Sequence, residues 1–263
     1  MARKPLQAII SAMLLLAAAL GWLTGILINI LADSLPRFRR PAWPACAACG
    51  AQLPRAAWSG LLAWLAGRQA CLYCGRRRGW RAPLVELGMA AICIWIAGRG
   101  APAQQFWAGW LTVAIYLLIA IIDVEHRLIM HIVSLPAAVI MAVLGSQRPG
   151  QGPLNTLIGG AAGFAIVFGM FLLGEFFLRL IGRLRHQPVE EIAFGFGDVT
   201  LAAVIGLSVG WTAVVAAILL GVLAAGAFSL AYLGVMLARR RYVAFTPIPY
   251  GPFLILGALI VYF

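Results

Sequence analysis

Residues 211–237 read WTAVVAAILLGVLAAGAFSLAYLGVML, a stretch without one charged side chain. A helix that crosses a bilayer needs about 20 predominantly apolar residues, because the hydrocarbon core is ~30 Å thick and each residue adds ~1.5 Å. This stretch exceeds that length. Seven further apolar stretches flank it, at 7–32, 83–98, 105–122, 129–145, 154–178, 198–210 and 247–263. Those at 83–98, 129–145 and 198–210 are short. They begin inside the preceding loop or sit in the protein interior, where thinner apolar cover is tolerated. Hydrophobic residues make up 63% of the 263 and charged residues 11%, with a mean hydropathy of +0.96. Soluble chains average roughly 45–50% and 25%. A soluble globule, a disordered chain and a small disulfide scaffold are therefore excluded. The expected fold is an all-α polytopic membrane protein with about eight transmembrane helices.

Twenty Lys and Arg against eight Asp and Glu give a net charge of +12. On a membrane chain such an excess reports which loops face the cytoplasm. With eight spans and both termini outside, Arg3, Lys4, Arg99 and Arg148 lie on the outer side and the other sixteen basic residues lie inside. Orientation thus accounts for the charge together with attraction to anionic lipid, and no nucleic-acid partner is expected. The first stretch follows Arg3 and Lys4 but continues through Trp22 to Leu31, longer than a signal-sequence core. It reads as a retained helix, giving three regions: 1–32, a loop at 33–82, and the membrane-embedded remainder, 83–263.

That loop contains Cys46-Ala-Ala-Cys49 and Cys71-Leu-Tyr-Cys74, each followed by glycine (Gly50, Gly75). Two Cys-x-x-Cys pairs at this separation have the spacing of a four-cysteine zinc site. Four thiolates close a tetrahedron, which makes the expected zinc structural, and a reducing cytoplasm disfavours two disulfides. Redox pairs are the alternative. A loop this short lacks its own core, so metal binding would supply folding energy. Cys93, inside an apolar stretch, reads as a small buried residue.

With eight acids in the chain, each can be weighed. Glu190 and Glu191 lie in a loop beside Pro188 and read as solvated; Asp33 follows the first stretch and caps or ends it. Glu175 reads as snorkelling or paired with Arg179 at i+4. Glu86, Asp123 and Asp198 sit in or against apolar segments, where a charge is costly and points to function. Asp123 ends the run from Tyr116 through Ile122, and Asp198 opens another in Gly195-Phe196-Gly197-Asp198. In the topology above both lie at cytoplasmic helix ends at similar depth. Brought together, they would share one proton and could activate water against a peptide carbonyl. Two unrelated interfacial acids remain the alternative on spacing alone. His126 and His131 read as interfacial histidines.

The Gly195-Phe196-Gly197-Asp198 motif with Ile122-Asp123 upstream resembles the GxGD-type intramembrane aspartic proteases. Together with Cys46…Cys49-Gly50, Leu62-Ala-Trp64-Leu65, Cys71…Cys74-Gly75, Pro83-Leu84-Val85-Glu86-Leu87 and Ile248-Pro249-Tyr250-Gly251-Pro252-Phe253, the chain is similar to the type IV prepilin peptidases. The resemblance implies a catalytic Asp123 and Asp198, motif support from Gly195, Gly197, Gly251 and Pro252, and zinc on Cys46, Cys49, Cys71 and Cys74. It implies a bacterial inner-membrane enzyme that cuts the leaders of prepilins or pseudopilins on the cytoplasmic side. A second reaction would methylate the new amino terminus with S-adenosylmethionine. Glu86 would serve that transfer, or pair structurally with loop arginines. Gly251-Pro252 would break the last span near the active site.

The chain departs from the family pattern at several points. It has Gly25-Ile-Leu-Ile-Asn29 for the usual Gly-Ser-Phe-Leu-Asn, and Ser34 where an Arg is common. Ala57-Trp58-Ser59-Gly60 replaces an Asn-Ile-Pro stretch, and Met130-His131 replaces a Pro-Asp. None removes a protease residue, but several fall in the region linked to methyl transfer. Two other classes stay open: an inert zinc-ribbon scaffold of a secretion or pilus complex, and a secondary transporter. The substrate's identity and the number of copies are not legible.

Overall fold

A computed structural model of the chain describes residues 3–46, 48–185, 195–239 and 249–263. Glu190, Glu191, Phe194, Arg240, Arg241 and Ile248, which enter the sequence reading, lie outside the described residues. Nine α-helices and no strand occur among those described: α1 (Arg3–Phe38), α2 (Gly60–Leu65), α3 (Arg81–Gly98), α4 (Ala103–His126), α5 (His131–Ser146), α6 (Gly152–Arg185), α7 (Phe196–Val209), α8 (Ala213–Ala238) and α9 (Gly251–Tyr262). Among the described residues α1, α3, α4, α6 and α8 are long and apolar enough to cross a membrane. The shorter apolar helices α5, α7 and α9 occupy the remaining expected stretches. The protein is an all-α polytopic membrane protein.

The chain divides into two compact units, Met1–Leu118 and Ile119–Phe263. In the first, α1 packs along α3. A Cβ on Gly25 would lie 2.6 Å from the Glu86 Cα, so these helices touch backbone to backbone. The Trp110 indole, early in α4, donates to the Thr24 hydroxyl at 3.1 Å. α1 does not stop near Asp33 as expected but continues to Phe38, with Pro36 inside its final turn. Asp33 neither caps nor ends it, because its carboxylate pairs with Arg81 at 2.7 Å and the charge is neutralised on the helix flank. Arg39, at a φ of 53°, ends the helix one residue after Phe38.

In the second unit α7 packs against α5, α6, α8 and α9, and buries Val199, Leu201, Ala202, Val204 and Ile205. At 14 residues it is roughly 21 Å long, too short to span. Its position inside the bundle removes that requirement. The α6–α7 seam is a backbone contact too: a Cβ on Gly159 would lie 2.5 Å from the Gly206 carbonyl oxygen. Gly251-Pro252 does not break the last apolar stretch. α9 begins there, with Pro252 in the first turn, where a missing N–H has no helical acceptor to lose.

Candidate active site and metal centre

The two cysteine pairs fold as matching turns. Gly50 N–H donates to the Cys46 carbonyl at 3.0 Å, and Gly75 N–H to the Cys71 carbonyl at 2.9 Å. The glycines take φ values of 72° and 69°, the left-handed turn that follows each pair. Isolated bridges, Ala45 to Gln52 and Ala70 to Arg77, close each turn at its base. The four Sγ atoms lie within 4.8 Å of one another. Cys46 and Cys74 are 3.7 Å apart, as are Cys49 and Cys71. A tetrahedron with Zn–S bonds of ~2.3 Å has edges of ~3.8 Å, so the donor set fits a tetrahedral metal. A disulfide needs ~2.05 Å, and all four thiols are free. Backbone N–H groups of Cys49 and Ala48 bring the Cys46 thiol down to about 6. Those of Cys74 and Tyr73 lower Cys71 in the same way. Both favour the thiolate, the form that binds metal. Cys93 is buried in α3, apart from this cluster.

Glu86, in the second turn of α3, is fully buried. Its carboxylate accepts from the Trp22 indole at 3.0 Å, the Ser59 hydroxyl at 2.5 Å, Gly60 N–H at 2.6 Å and Leu61 N–H at 3.2 Å. These donors come from α1 and from the start of α2, where the sequence suggested loop arginines. Ser59 also caps α2 by accepting from Leu62 N–H at 3.1 Å. A serine ahead of the apolar run Gly60-Leu-Leu-Ala-Trp-Leu65 was the sequence signal for this helix, and it was passed over. Glu86 thus ties the segment between the knuckles to the membrane helices.

Asp123 lies in the last turn of α4, 5% exposed. Its Oδ2 accepts from Gly251 N–H at 3.0 Å, at the start of α9. The positive end of that helix faces the carboxylate. A Cβ there would lie 2.7 Å from the same oxygen, so a larger residue would push the carboxylate aside. Asp198 occupies the first turn of α7, with Gly195 as its N-cap. Ile129 joins the two: a Cβ on Gly197 would meet its Cβ at 2.7 Å, and one on Gly251 would meet its Cδ1 at 3.5 Å. The carboxylates of Asp123 and Asp198 are close enough to feel each other's charge, and Tyr250 feels that of Asp198. The fold therefore gathers Asp123, Asp198, Gly195, Gly197, Gly251 and Pro252 at one end of the bundle, with the four clustered cysteines and Glu86 in the other unit. Ile129 and Tyr250 were missing from the site expected from sequence. Nothing local marks Ile129, whereas Tyr250 sits in the quoted Pro249-Tyr250-Gly251-Pro252 stretch. His126 and His131 are exposed, and Glu175 pairs with Arg179 at 3.4 Å.

Residues 110–230 match the type IV leader peptidase family, and residues 19–99 match the bacterial peptidase A24 N-terminal domain. The chain is 28% identical to the prepilin leader peptidase/N-methyltransferase of Stutzerimonas stutzeri, over 92% of this chain and 88% of that one. It is 26% identical to the protein of that name from Pseudomonas aeruginosa, over 95% and 89%. It is 27% identical to the one from Bacillus subtilis, over 82% and 79%. No solved structure matches at a significant level. The two matched regions follow one another and together span most of the chain, and the chain belongs to the type IV leader peptidase family.

Proposed function

We propose that this chain is a membrane aspartic endopeptidase that removes the leader of type IV prepilins or pseudopilins, with Asp123 and Asp198 as its catalytic pair. One observation carries the assignment of the pair. Two carboxylates far apart in sequence lie at the ends of different helices, and Ile129 packs against both the glycine beside Asp198 and Gly251, whose N–H holds Asp123. Two such carboxylates share a single proton. The ionised one takes a proton from water, whose oxygen attacks the scissile carbonyl carbon. The protonated one donates to the carbonyl oxygen, and the amide nitrogen leaves after accepting a proton. Gly197 and Gly251 let Ile129 and the Asp123 carboxylate pack directly against their backbones, and the cut requires the substrate to arrive as an unwound strand. Such unwinding is needed because a helical peptide bond is engaged in its own hydrogen bonds.

The loop and the pair face the cytoplasm of the bacterial inner membrane, supported by the arginine distribution. Cys46, Cys49, Cys71 and Cys74 would hold a zinc ion, which would supply folding energy to the loop rather than chemistry to the cut. Methylation of the new amino terminus from S-adenosylmethionine is the second activity, supported by the names of the relatives. Of the two roles open to Glu86, holding the loop is the one supported by its donors from Trp22, Ser59, Gly60 and Leu61. The test is to incubate the protein in lipid with a prepilin, with and without S-adenosylmethionine, and weigh the products. Leader loss supports the peptidase, and a further methyl mass supports the transferase. An intact prepilin, cut by a control peptidase, would leave an inert scaffold.

A further inference from the structure

Four aromatic rings run from an exposed flank of α6 to the sequence neighbour of Asp198's motif glycine. Phe164 stacks on Phe168 at 5.5 Å, and Phe168 on Phe171 at 6.2 Å. Phe171 meets Phe196 edge-on at 6.4 Å, and Phe196 meets the His131 ring at 6.2 Å. Phe196 lies two residues before Asp198 and is 46% exposed; Phe164 is 37% exposed. The buried stripe of α6 against α7 includes Gly163 and Val167. Phe164 and Phe168 each follow one of these by a single residue, about 100° round the helix. The rings therefore line the edge of the α6–α7 seam. From Phe171 to Phe164 the ladder covers roughly 10 Å along the helix axis, leading away from the aspartate end.

Beside the rings Ala161, Ala165 and Gly169 are exposed at four-residue spacing, and a Cβ on Gly169 would meet nothing within 4 Å. A row of small residues alone would suit any lipid-facing helix. Its alignment with a ring ladder that ends at the catalytic motif gives it a direction.

We propose that the Phe164–Phe168–Phe171–Phe196 ladder is the docking track for the apolar membrane-spanning helix of the substrate, holding that helix so that the bond before it reaches Asp198 and Asp123. This rests on the peptidase function proposed above. The occupant follows from continuity with the aspartate pair and from medium. A chain arriving at these carboxylates from within the bilayer presents an apolar helix, and the exposed surface contiguous with Phe196 on α6 is aromatic and apolar. Small residues let the two helix backbones approach, and the rings supply contact area at one side.

The experiment uses the full chain in nanodiscs with two substrates: a complete prepilin, and a short peptide carrying the same cut site without the apolar helix. In the Phe164→Ala/Phe168→Ala variant, the ratio of kcat/KM for the long substrate to that for the short one should fall roughly tenfold, mainly through KM, as expected for two lost ring contacts. An unchanged ratio overturns the track. Wild-type protein that cuts neither substrate overturns the peptidase function itself, and the track falls with it. To cover misfolding of the double variant, a photo-crosslinking phenylalanine replaces Phe168 in the otherwise intact Asp198→Asn chain. A crosslink to the prepilin helix supports the track, whereas crosslinks confined to lipid or to a second copy of this chain overturn it.

Discussion

Glu86 and Asp123 are both buried carboxylates near helix ends in an apolar protein, and the chain treats them in opposite ways. Glu86 is surrounded by donors: an indole, a hydroxyl and two backbone N–H groups. Since a carboxylate accepts at about four positions, little of its capacity is left. The Asp123 carboxylate accepts from a single backbone group at the start of α9, Gly251 N–H. The first arrangement makes a tie, because a saturated carboxylate has nothing to offer a substrate. The second leaves lone pairs for water and a partner acid at hand. Burial alone therefore does not mark a reacting group; the donors around it separate the saturated acid from the one proposed to react.

The largest effect expected from this contrast is at the pair. Asp123→Asn and Asp198→Asn should each lower leader cleavage by ~10³-fold or more while leaving the melting temperature close to wild type. Substantial cleavage by either variant would break the comparison. Metal removal should come next: a strong chelator, or Cys46→Ser, should take bound zinc from one ion per chain to none and expose the loop to protease. Atomic absorption and limited proteolysis read this directly. Gly251→Ala should cut kcat/KM by ~10- to 100-fold, because the new methyl displaces the Asp123 carboxylate.

Glu86→Gln should act on stability instead. It turns a charged acceptor into an amide facing four donors, costing about 2–3 kcal/mol. The expected readout is a lower melting temperature and faster proteolysis near Ser59, with cleavage persisting below the melt. Loss of cleavage in folded protein would erase the distinction between the two acids. The smallest effect is Trp22→Phe, which removes one donor from Glu86 and should cost ~1 kcal/mol in thermal denaturation.

The eight apolar stretches, the cysteine knuckles and the two aspartate motifs were all legible before the fold was known. Each is written in local composition or short spacing. The errors share a different cause. The end of α1 was misplaced because Asp33 looked like a stop, and the arginine that neutralises it is 48 positions away. Pairing with loop arginines is one of two roles the sequence suggests for Glu86, because such arginines are abundant, whereas the fold supplies Trp22 from α1 and the start of α2. Gly251-Pro252 read as a break because a proline within an apolar run usually interrupts a helix, but at a first turn it is compatible with starting one.

Composition alone determined that the chain crosses a membrane as helices, since no other arrangement satisfies the backbone of such apolar stretches. Cysteine spacing likewise determined each two-thiol turn, because turn geometry is local, while the fold brings the two turns together. Only the tertiary structure decided which acids meet and which are occupied. Ile129 packs against both Gly197, beside Asp198, and Gly251, which holds Asp123, while α1 and α2 close around Glu86. Those contacts join residues far apart in sequence, and their energies depend on packing distance, which no local pattern encodes.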